Sequence, residues 1–100
     1  MSTLSVALQD GFKNDSVVLT VNDREVFRKS GVSTNLVIGL ADRLETQVDG
    51  TDARIQIEVT SRSKKQSKNV QVSDTPNVGI SLGADGTPEI FASREPFRYL

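Results

Sequence analysis

One hundred residues, 36% hydrophobic and 25% charged, suit one globular domain around a single core, too apolar for a disordered chain and too short for a second lobe around a cleft. A formal charge of −1 supplies no field to draw the chain onto nucleic acid or an anionic membrane, and neither partner is expected. With no cysteine and no histidine there is no disulfide, no thiolate nucleophile, no cysteine-ligated zinc and no imidazole for proton transfer, so the composition argues against an enzyme and calls for no cofactor.

Met1 to Asp10 hold no basic stretch leading into an apolar run, and no segment reaches the ~20 apolar residues of a membrane span. Together with the lack of cysteine this points to a soluble, cytoplasmic protein. From Leu4 onward, apolar side chains fall on alternate positions: Leu4, Val6 and Leu8, then Val17, Leu19 and Val21, later Ile55, Ile57 and Val59, and Val78, Ile80 and Leu82. A period of two buries one side of a strand and wets the other. Turn pairs punctuate the chain at Asp10-Gly11, Asn22-Asp23, Ser30-Gly31, Asp49-Gly50 and Asp85-Gly86, where Gly, Asp and Asn accept the positive φ of tight turns.

These signals predict strands near 4–8, 16–21, 24–28, 36–40, 44–48, 53–60, 70–72, 78–82 and 89–92. Residues 1–100 then form one all-β domain, an antiparallel β-sandwich of about 7–9 short strands, immunoglobulin-like or jelly-roll-like. The second and third strands flank Asn22-Asp23 so closely that a two-residue hairpin follows, with Val26 facing the same core as Val21 or Val17. The stretch 34–47 is ambiguous. Leu36, Leu40 and Leu44 also form a helical stripe with Thr34 as N-cap, but Gly39 and the β-branched Val37 and Ile38 favour strands.

Residues 61–69 contain no apolar side chain and read as a long exposed connection. Arg62, Lys64, Lys65 and Lys68 within it are candidates for binding an anionic ligand. No aromatic residue interleaves with them, so the stacking used to hold single-stranded nucleic acid is missing. The turn acids Asp10, Asp15, Asp23, Asp42, Asp49, Asp52, Asp74 and Asp85 offer hard oxygen ligands of the kind calcium takes, though Asp before Gly is also what turn formation selects. Val26 and Phe27 are adjacent on one strand and should point to opposite faces, which makes Phe27 a candidate partner contact. Phe97 and Tyr99, alternating in the tail after Pro96, are the others, as though a last strand docks on an edge or on another subunit.

The run from Ser16 to Thr34, SVVLTVNDREVFRKSGVST, with the closing Arg94-Glu95-Pro96-Phe97-Arg98-Tyr99-Leu100, resembles a group of small bacterial β-sandwich proteins that have no established site. Its first part is also similar to strand-turn-strand pieces of immunoglobulin-like and regulatory modules. The resemblance implies the fold and carries over no functional residue. The expectation is a non-catalytic interaction or structural module that binds a protein partner or itself. The alternative is a ligand-binding module using the acidic turns for calcium or the segment 61–69 for an anion.

Overall fold

A computed structural model describes residues 2–96 and shows eight strands: β1 (Ser2–Leu8), β2 (Asp15–Val21), β3 (Arg24–Val32), β4 (Asp42–Val48), β5 (Asp52–Val59), β6 (Lys64–Gln71), β7 (Asn77–Leu82) and β8 (Pro88–Ser93). They form two four-stranded sheets, ordered β4-β1-β7-β8 and β3-β2-β5-β6. The β-sandwich expected from the alternation is present. Five of its six strand pairings are antiparallel, whereas β1 and β7 run parallel, Val6 beside Val78 and Leu8 beside Ile80. Consecutive strands β1 and β2 lie in different sheets, so the parallel neighbours are joined by a crossover through the second sheet.

Between the sheets lies one core. All twelve residues of the alternating sets, from Leu4 to Leu82, are buried in it, joined by Phe12, Val32, Val48, Ala53, Val70, Val72 and Ile90. Hydrophobic burial at every second position thus sets each register, since a slip of one would turn these side chains into water. The sheets stack edge above edge, β8 over β6 and β4 near β3. Each of these open sides is spanned by a lysine: Lys29 Nζ meets Asp42 Oδ2 at 2.8 Å, and Lys68 Nζ donates to the Ile90 carbonyl at 3.3 Å.

The hairpin at Asn22-Asp23 forms as expected, both residues taking positive φ (51° and 64°) as a type I′ turn requires. Asn22 also locks the turn to β5, its N–H donating to the Arg54 carbonyl and its Oδ1 accepting from the Arg54 N–H, both at 2.9 Å.

Three expectations need correction. Residues 36–40 are neither strand nor helix: they form a turn closed by a single bridge between Asn35 and Leu40. Gly39 at φ +72° and the Val37 N–H donating to Asn35 Oδ1 reverse the chain, so no partner strand lies alongside. Residues 61–69 are not a long connection. After a 3-10 turn (Thr60–Arg62) and Ser63 at φ 55°, they run as β6, paired with β5 from Val59–Lys64 to Asp52–Gln71. Lys64, Gln66 and Lys68 take the inward positions opposite Val59, Ile57 and Ile55, so an edge strand polar on both faces showed no alternation to read.

The third correction concerns Val26 and Phe27. The β2–β3 ladder passes from Leu19–Phe27 to Thr20–Glu25, leaving Val26 as the extra residue of a bulge. A bulge cancels the strict alternation of a strand, and both side chains are half-buried against the core instead of pointing to opposite faces.

Candidate functional site

The buried end of the basic segment is built around Asp15, the one charged or polar residue in the core among those described. Its carboxylate accepts from Arg62 Nε at 2.9 Å and a second guanidinium nitrogen at 3.0 Å, from Ser61 Oγ at 2.8 Å and from the Lys13 N–H at 2.8 Å. Burial pushes the Asp15 carboxyl up, but the hydrogen bonds from Arg62, Lys13 and Ser61 and the guanidinium charge outweigh it, and the pKa lies below its ordinary value. Arg62 further donates to the Gly11 carbonyl at 3.2 Å, tying the 3-10 turn to the β1–β2 connection. Gly11 sits at φ +89° with the place of a Cβ only 2.5 Å from the Leu82 carbonyl oxygen, so no larger residue fits there.

Arg62 is therefore occupied in holding the fold. Lys64 and Lys68 take inward positions on β6, Lys68 on the Ile90 carbonyl, while Lys65 points to the opposite face. The four cations do not converge on one place. The turn acids are also dispersed: Asp15 is paired with Arg62 and Asp42 with Lys29, and Asp85 binds the Thr87 N–H and hydroxyl at 3.0 and 2.9 Å. Among the described residues no group of three or more carboxylates is placed to hold a metal ion.

The β3–β4 side of the sandwich is different in character. Val26 and Phe27 from the β3 bulge and Leu44 from β4 reach the core yet stay half-exposed. One ion pair, Lys29–Asp42, spans them, and the hydrogen bond from Lys29 holds the Asp42 carboxyl below its ordinary range. Nearer the β2–β3 hairpin, a cleft of 290 Å³ opens between Val21, Asn22 and Arg24 on one side and Gln47, Val48 and Asp49 on the other.

The connection from β3 to β4 carries the two most exposed large apolar side chains described, Leu36 at 93% and Val37 at 78%. Their turn is fixed. The Asn35 N–H donates to the Leu40 carbonyl at 3.0 Å and the Gly39 N–H to the Asn35 carbonyl at 2.8 Å. At its base Thr34 exchanges hydrogen bonds with the Phe12 main chain and gives its hydroxyl proton to the Gln9 carbonyl at 2.6 Å. Such a turn presents its apolar tip without paying much ordering entropy on contact.

On the outer face of the first sheet, Phe91 stands half-exposed opposite Gly79, and a depression of 490 Å³ lies across β1, lined by Ser5, Ala7, Arg43, Glu45, Asn77 and Pro96 among others.

Of the three residues expected to meet a partner, Phe27 lies on the β3–β4 side, while Phe97 and Tyr99 fall outside the described residues. The apolar alternation around Leu36 and Val37 points to a strand interior and hides their exposure; Asn35 and Gly39 flanking them are the turn signal the sequence offers. Phe91 was missed although adjacent Ile90 and Phe91 pose the same question as Val26 and Phe27, and here the strand is unbulged and alternation holds.

No protein-family model matches the chain, and no curated protein or solved structure matches it either.

Proposed function

We propose that the chain is a non-catalytic protein-interaction module that makes contact through its β3–β4 side, with Leu36 and Val37 as leading contacts and Phe27 and Leu44 behind them. One observation carries this reading: two aliphatic side chains stand almost fully in water on a hydrogen-bonded turn, although a small domain gains by burying them. The absence of cysteine goes with a reducing compartment, and we place the module in the cytoplasm.

The test is a photo-cross-linking amino acid at position 36, compared with one at the exposed Ser67 on β6. Discrete protein adducts are expected from position 36 and none from position 67. The double substitution Leu36→Ser with Val37→Ser should leave stability within ~0.5 kcal/mol, yet abolish adducts from a cross-linker at Phe27. No adduct from position 36, or adducts formed equally from position 67, would sink the reading.

A further inference from the structure

We infer that two copies of this chain meet on the β3–β4 side, by antiparallel pairing of β4 with β4 of the partner subunit about a two-fold axis at Leu44. The inference rests on the interaction-module reading above and names its partner.

Each sheet ends in two edge strands, β4 and β8 in one, β3 and β6 in the other. An exposed edge invites pairing unless something blocks it. Three of the four are blocked. β3 is interrupted by two register shifts, which break the regular ladder that a partner strand would need. β6 aims Lys64, Gln66 and Lys68 inward. β8 begins at Pro88, and its Ile90 carbonyl is occupied by the Lys68 ammonium.

β4 carries no such device. Its seven residues pair with β1 without a break and include neither proline nor glycine. Its inward positions, opposite Ser2, Leu4, Val6 and Leu8, are Val48, Thr46, Leu44 and Asp42. The only charge among them, Asp42, is already matched by Lys29.

The strand is also complementary to itself. Pairing about Leu44 sets Leu44 against Leu44 of the partner subunit and Arg43 against Glu45 of the partner subunit, with the reciprocal pair on the other side of the axis. Neither Arg43 nor Glu45 has an ion pair among the described residues, and both are exposed. Moving the axis by one residue sets Arg43 against Arg43, or Glu45 against Glu45, so charge holds the register against its nearest slips. On the inner side the two half-buried Leu44 side chains cover one another, and the β4-β1-β7-β8 sheet becomes continuous with that of the partner.

Sedimentation equilibrium should give twice the chain mass of 10.9 kDa. Glu45→Arg sets arginine against arginine at both pairs and should raise the dimer dissociation constant roughly tenfold or more. The exchange Arg43→Glu with Glu45→Arg restores complementarity and should restore the dimer. Circular dichroism should show all three proteins folded, as expected for exposed positions. A monomer at every accessible concentration overturns the inference, and so does a dimer indifferent to Glu45→Arg. A wild-type monomer that still cross-links to another protein from position 36 would overturn the dimer alone. A charge-sensitive dimer without those adducts would instead overturn the role given to Leu36 and Val37.

Discussion

The Asp15 carboxylate is held at once by a guanidinium, a hydroxyl and a main-chain N–H, and its side chain is only 4% exposed. Arg62→Ala would strand that charge in the core. The expected cost is about 3 kcal/mol by urea denaturation, near the lower end for a broken buried pair because water can reach the vacated side. Arg62→Lys should fall between, keeping the charge and losing the two-pronged geometry. Acid gives a second readout. Because the folded-state pKa of Asp15 lies below the ordinary carboxylate value near ~3.9, its stabilisation is complete above that value. It is lost as pH falls through the ordinary range and then through the depressed one. Asp15→Asn should flatten the acid limb of the stability curve, leaving the falls contributed by Asp42, Glu25 and Asp85, whose pKa values are lowered in the same direction by hydrogen bonds from Lys29, Arg28 and Thr87.

Strand β5 shows what alternation can specify. Ile55, Ile57 and Val59 are fully buried, while Gln56 and Glu58 between them keep contact with water. Ile57→Ala should cost roughly 2–5 kcal/mol, and Gln56→Ala within ~0.5 kcal/mol. Comparable losses at both sites in thermal or chemical melts would show that the register is wrong. This part of the architecture was legible because each buried strand is flanked by wet positions. β6 was not legible, since its inward residues are lysine and glutamine and a polar run looks like a loop. The turn at Leu36 and Val37 misled in the other direction: apolar alternation stands there without burial, and only Asn35 and Gly39 hinted at it. Of the candidate contacts, Phe27 was visible as one of two large neighbours on a strand. The bulge that places Val26 on the core beside it depends on the pairing with β2, which no local pattern reports.

At the scale of the molecule, charges are used close to where they sit. Asp15, Asp42, Asp23 and Glu25 each face a basic partner, and no carboxylates converge on an ion site among the described residues. Millimolar calcium should leave the melting temperature unchanged, whereas a ligand at ~100 times its dissociation constant would add about 2.7 kcal/mol of stability. A calcium-dependent rise would revive the acidic turns as a binding site. The two sheets differ in how they are assembled from the chain. β2 with β3 and β5 with β6 are hairpins of near neighbours, and β2 joins β5 to unite them.

The parallel pairing of β1 with β7 has a temporal side. On a ribosome β1 is made before either of the strands that flank it, which belong to residues 42–48 and 77–82. Translation must run from β1 to the end of β7 at Leu82 before both neighbours exist, and such distant contacts slow folding. β1 is thus enclosed late, and until β7 has left the exit tunnel Leu4, Val6 and Leu8 form a stretch that a nascent-chain chaperone would find partly uncovered.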